Sequence, residues 1–186
     1  MIIEHKENIS SDFNGTIIDI EFIGSFDRFY SIDDARRYED TKLIIFGFMN
    51  KEFLHIHCAK GIEGIAELNV KTGEIMDSLK TTSLTFAFHC DVTSGVLFHA
   101  LGFKPFFHGE LGTGSTERKA DVVKELNISN YDDPFFSDGF ACSKAWMNSK
   151  FNEVISHNRA CLLKERDILI KRNYRLPETL ELIQPF

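Results

Sequence analysis

Apolar residues come in short blocks along the first half of the chain. Residues 15 to 24 (GTIIDIEFIG) are β-branched and bounded by glycines, which predicts a buried strand. Residues 42 to 49 (KLIIFGFM) and 52 to 58 (EFLHIHC) predict two more, joined by a hairpin turn at Asn50-Lys51. Residues 61 to 77 predict a helix beginning after Gly61, and Ser83 to Phe88 a fourth strand. Residues 92 to 101 carry apolar positions at helical spacing up to Gly102, a natural C-terminal cap.

The second half reads as mostly helical. A helix opens at Ser115-Thr116-Glu117-Arg118 and runs to about Leu126, Asp132-Asp133-Pro134 marks a turn, and two further helices cover 138 to 148 and 151 to 172. Three antiparallel strands, a helical crossover to a parallel strand, then helices amount to an α/β domain. Its 186 residues suit a single domain without repeats or linkers.

Inside the first strand the pattern breaks. Asp19 and Glu21 lie at i and i+2, so they share one face while Ile18, Ile20 and Phe22 share the other. Two close carboxylates repel one another, and burial would raise a pKa unless a cation compensates. A divalent metal is an economical solution; a solvated strand face is the plain one.

Composition narrows the class. The chain is 43% hydrophobic and 26% charged, and its 18 Phe read as core filler. No run approaches the roughly 20 apolar residues of a membrane helix, and MIIEHKENISSD has neither a basic lead nor a cleavable apolar segment, so a cytoplasmic protein is expected. Cys58, Cys90, Cys142 and Cys161 form no CxxC pair and read as free thiols. Net charge is -7, which does not advertise a polyanion binder, although Lys164, Arg166, Lys171, Arg172 and Arg175 crowd the C-terminal region as a solvated or basic helix face.

With DIEFIG followed by IIFGF, the chain resembles the RNase H-like superfamily, specifically the DEDD-type 3'-5' exonucleases and the predicted RNase H-like nucleases. The segment FAFHCDVTSGVL (86 to 97) is similar to the family's strand-to-helix motif, and DGFACSKAW (138 to 146) followed by HNRAC (157 to 161) resembles its D-G, W, Y-N-x-x-D pattern on a long final helix. The resemblance implies a mixed sheet of three antiparallel strands followed by parallel strands, with flanking helices. It also implies a pair of Mg or Mn ions about 3.5–4 Å apart that hydrolyse phosphodiesters of DNA or RNA.

Carried over, Asp19 and Glu21 become metal ligands and His157 the residue that orients or deprotonates water. Asp91 offers a third carboxylate if the strand-helix turn is rearranged, and Asn158 and Arg159 flank the site as substrate contacts. Thr93 and Cys161 stand where the family has acids. A catalytically inactive relative that binds nucleic acid or protein through the same cleft, or a small-molecule phosphodiester hydrolase, are the rival expectations. His157 and Cys161, one turn apart, are a pair able to bind zinc, but no partner pair is evident in the sequence. Asp138 reads as a helix N-cap, and Trp146 as core or as a base-stacking ring.

Overall fold

A computed structural model describes residues 1–114 and 116–177. Six strands, β1 (Ile2–Asn8), β2 (Thr16–Ile23), β3 (Lys42–Met49), β4 (Phe53–Ala59), β5 (Thr85–Ala87) and β6 (Gly109–Glu110), form one mixed sheet in the order β1-β4-β3-β2-β5-β6. The first four pair antiparallel, while β5 runs parallel to β2 and β6 parallel to β5. The meander expected from residues 15 to 58 is present. Asn50 turns its hairpin: its Oδ1 accepts hydrogen bonds from the Glu52 and Phe53 amides at 2.9 and 3.0 Å.

Among the described residues, five α-helices flank the sheet: α1 (Ile65–Thr82), α2 (Cys90–Leu101), α3 (Lys119–Glu125), α4 (Gly139–Met147) and α5 (Phe151–Arg172). Helix α2 stops at Gly102, which takes the left-handed conformation (φ 75°). Helix α3 begins later than expected, and Ser115 lies outside the described residues. Side-chain alternation along β3 assigns the two faces. Gly47 faces Asn158 and Leu162 of α5, whereas Phe48 lines a cavity with Ile75 and Leu79 of α1. The sheet is therefore covered on both sides, which is why β2 and β3 carry near-continuous apolar runs.

Strand β2 lies in the middle of this sheet. Its register against β3 shifts between Glu21 and Phe22, a bulge located beside the two carboxylates. Among the described residues, no helix is long and apolar enough to cross a membrane.

Helix α5 is no solvated face. Lys164 and Glu165 have no exposed surface at all, and Arg172 is spent on Glu117 and the Leu111 carbonyl. Arg175 holds Glu110 at 2.5 Å, and Lys171 donates to the Leu126 carbonyl. Lys164 is thus buried, Arg172 and Arg175 are half-buried and tie α5 and the segment after it to Leu111, Gly112 and Glu110 around β6, and Lys171 stays exposed.

Candidate functional site

A cleft of about 230 Å³ opens over β2. It is lined by Asp19 and Glu21, by His89 and Thr93 around the start of α2, by Lys119 at the start of α3, and by His157 and Cys161 of α5. Five residues singled out in the sequence, Asp19, Glu21, Thr93, His157 and Cys161, therefore converge there.

Each acid meets a protein cation. Asp19 Oδ1 accepts from Lys119 Nζ at 2.8 Å and Oδ2 from Asn158 Nδ2 at 2.8 Å. Glu21 Oε1 lies 3.1 Å from His157 Nε2. Burial pushes the Glu21 carboxyl up from the usual range, with the His157 ring opposing and Asp19 adding to it.

His157 is almost completely buried and held from both sides. Its Nδ1 lies 2.7 Å from Asp133 Oδ1, and Asp133 also accepts from the Phe135 and Ser137 amides and from Lys164 Nζ. Burial disfavours the imidazolium, but Cys161, Glu21 and Asp133 around it outweigh that and raise its pKa. With both nitrogens facing carboxylates, the charged ring has no lone pair for a water proton. In this arrangement His157 is a charge partner of two acids rather than a general base.

Lys119 completes the cluster. Its ammonium also stands 2.5 Å from Glu165 Oε1, although not along a hydrogen-bonding direction, so neither Glu165 oxygen has a directed donor. Burial works against the Lys119 charge, but Asp19, Cys161 and Glu165 hold its pKa well above the ordinary lysine value. Burial, reinforced by Asp19, keeps Glu165 far above the usual carboxylate range.

Asp91 does not join this cleft. Helical geometry puts it about 200° around α2 from Thr93. It lines a different cavity with Cys90, Ser94 and Phe106, and its carboxylate groups with His89 and Glu110. Thr93, two residues on, is the one that faces Asp19 and Glu21.

The other sequence candidates are structural. Asn158 is wholly buried behind Asp19, so it positions a carboxylate rather than meeting a substrate. Arg159 clamps Glu7 of β1 at 2.5 and 2.8 Å and pins the edge strand to α5. Trp146 belongs to the core, its indole N–H donating to the Ala59 carbonyl at 2.7 Å. Asp138 caps α4 by accepting from the Phe140 and Ala141 amides.

Asp133, Lys119, Lys164 and Glu165 are the site residues that sequence reasoning missed. Asp133 read as a turn residue beside Pro134, yet it is the anchor of the His157 ring. The available signal for the other pair was a Lys-Glu step (164 and 165) inside the apolar register of a long helix.

Four buried acidic side chains, Asp19, Glu21, Asp133 and Glu165, thus face three basic ones, Lys119, His157 and Lys164. Outside this cluster, Phe136 and Phe140 are about three-quarters exposed on either side of the cleft-lining Ser137 and Gly139. Arg118 is exposed next to Lys119, and Lys144 lies 5.3 Å over the Phe140 ring. No protein-family model, curated protein or solved structure matches this chain.

Proposed function

We propose that this chain is an RNase H-like module of the 3'-5' exonuclease type that binds single-stranded nucleic acid at the Asp19/Glu21 cleft without hydrolysing it. The topology supports the first half. Apart from the edge strand β1, the sheet is a three-stranded antiparallel meander extended by two parallel strands, with the D-x-E strand β2 between them.

One observation carries the second half: Lys119 and Asn158 take both oxygens of Asp19, the carboxylate that would bridge a metal pair. Two Mg or Mn ions need a shell of oxygen donors, and the cleft offers two compensated carboxylates, a threonine, a thiol and a charged imidazole. The donor set does not fit such a pair.

Binding has its own support. Phe136 and Phe140 are rings available for base stacking, Lys144 lies over the Phe140 ring, and Arg118 is exposed at the start of α3, in an otherwise acidic chain. Fluorescence anisotropy with labelled single-stranded DNA and RNA tests this. Binding that falls steeply with salt and weakens about tenfold or more in Phe136→Ala/Phe140→Ala is expected, with the strand intact after incubation with Mg or Mn. Absence of binding, or Mn-dependent cleavage that Asp19→Ala abolishes, would overturn the proposal.

A further inference from the structure

We propose that His89, Asp91 and Glu110 bind one divalent transition-metal ion, zinc in its chemistry, where the start of α2 meets β6. The three residues stand apart from the charge cluster around Asp19, and the site goes beyond the proposed nucleic-acid binding.

The fold brings them together from two neighbouring strand ends. Strand β6 pairs in parallel with β5, with Glu110 opposite Ala87. Beyond Ala87 the chain turns into α2, so His89 stands at the N-cap position and Asp91 in the first turn. The carboxyl ends of parallel strands are where open α/β sheets place their ligands. One donor atom from each of His89, Asp91 and Glu110 lies within 4.8 Å of the other two. A triangle of that size has a centre within about 2.8 Å of every corner, and zinc bonds to imidazole nitrogen or carboxylate oxygen are about 2.0–2.2 Å long. Side-chain movements of about half an ångström close that difference.

Two of the groups lack partners. His89 Nδ1 is buried without a hydrogen bond, and Glu110 Oε1, 3.9 Å away, is too distant to accept one. Although His89 occupies the N-cap position, its ring makes no bond to the α2 amides. Asp91 is only 8% exposed; its Oδ1 accepts from the Val92 amide at 2.7 Å, and among the described residues no lysine or arginine pairs with its carboxylate. Burial, with Glu110 adding to it, pushes the Asp91 carboxyl up from its usual range against the Val92 amide and His89.

Charge and donor type select the ion. Arg175 holds Glu110 Oε2 at 2.5 Å, so one guanidinium stands against two carboxylates. A divalent ion supplies the missing positive charge and takes the Nδ1 lone pair of a neutral imidazole, while Nε2 keeps its proton. Nitrogen beside carboxylate oxygen favours zinc or cobalt over magnesium and calcium, which prefer oxygen shells, and Mn²⁺ is the weakest binder of the first-row series. The cluster is reached from solvent: Asp91 lines a cavity of about 270 Å³ with Ser94 and Phe106, and His89 lines the Asp19/Glu21 cleft.

Calorimetric titration of the chelator-stripped full chain with Zn²⁺, and optical titration with Co²⁺, test the site. One equivalent of either ion per chain is expected, with visible cobalt absorption and no near-ultraviolet thiolate-to-cobalt band, because no cysteine is a ligand. Asp91→Asn and His89→Gln should each weaken zinc binding about tenfold or more, at least the loss that changes behind a metal ligand cause. His55→Gln, which removes an imidazole of β4 outside the cluster, should leave the affinity unchanged. Circular dichroism establishes that each variant is folded. No stoichiometric uptake by the folded parent, an affinity unchanged in folded Asp91→Asn or His89→Gln, or a thiolate band that places cobalt on a cysteine would overturn the assignment. The titrations involve no nucleic acid, so their failure would leave the proposed nucleic-acid binding untouched.

Discussion

Lys119 Nζ lies 2.8 Å from Asp19 Oδ1 and 2.5 Å from Glu165 Oε1, so one ammonium, drawn from the start of α3, serves a strand carboxylate and a helix carboxylate at once. Removing it leaves two buried acids facing each other with no nearer cation. Lys119→Met should therefore cost about 3 kcal/mol of stability at neutral pH, measured by urea unfolding. The loss should shrink in Lys119→Met/Glu165→Leu, where the second acid is replaced by an apolar side chain of similar reach. Equal losses in the single and double variants would mean that Glu165 is not coupled to Lys119.

Gly47 pairs with Asp19 across the β2/β3 ladder and faces α5. A Cβ there would stand 2.0 Å from Asn158 Oδ1, and Asn158 is wholly buried with nowhere to retreat. Gly47→Ala should cost about 1–3 kcal/mol through overpacking. Asn158→Ala empties the space the new methyl needs. The double variant should consequently be more stable than the sum of the two single losses, a coupling that a thermodynamic cycle reads directly.

Much of this fold was legible because local signals agreed with tertiary demands. The runs ending at Met49 and starting near Phe53 turned at an asparagine whose side chain does the turning. Gly102 capped the helix that the spacing of residues 92 to 101 predicted. Strand β1 was not legible, since IIEHKEN offers only two apolar residues and its charges are used on an edge, with Glu7 paired to Arg159 of α5. Strand β6 is two residues long and exists only because β5 offers it an edge.

The site was half legible for a different reason. Asp19 and Glu21 break an apolar strand, which is visible in sequence, and His157 stood in a motif. Their compensating charges come from Lys119, 100 residues from Asp19, and Asp133, 24 residues from His157, both of which look ordinary locally. Lys119 sits at a helix start and Asp133 in a turn, and only the packing of α3 and α5 against β2 shows what they neutralise. Helical phase likewise decides between Asp91 and Thr93: Thr93 lines the cleft, and Asp91, two residues earlier, faces another cavity.

Stability should fall as pH rises from mildly acidic to alkaline. His157, Glu21 and Glu165 all have pKa values raised in the folded state, so between the ordinary and the raised value the native chain binds more protons than the unfolded one. Their contribution is complete below the ordinary values, 6.5 for the histidine and 4.5 for the glutamates, and is lost as pH climbs toward the folded ones. Asp133, held well below the carboxylate range against the cost of burial by His157 and Lys164, acts oppositely and loses its contribution only in strong acid. Thermal melts should accordingly give a higher Tm near about pH 5.5 than near about pH 8.5. Glu165→Gln, which keeps the shape and removes the titration, should flatten the slope.

Restoring acids at the two positions where the resemblance expects them should make the cleft depend on hard metal ions. Thr93 and Cys161 both line the cleft beside Asp19 and Glu21, so Thr93→Asp/Cys161→Asp would bring four carboxylates within one wall. Lys119 and His157 cannot neutralise all four, and the metal-free double variant should be destabilised by several kcal/mol through repulsion and desolvation. Mn²⁺ would then bind the folded chain in preference to the unfolded one, raising stability by about 2.7 kcal/mol at a concentration of 100 times its Kd. The measurement is Tm in chelator against Tm in millimolar Mn²⁺. The double variant should gain several degrees and the parent almost nothing. A parent whose Tm rises with Mn²⁺ as much as the variant's would mean that Asp19 exchanges Lys119 for a metal without help, and the cleft would then have to be treated as a working hard-ion site.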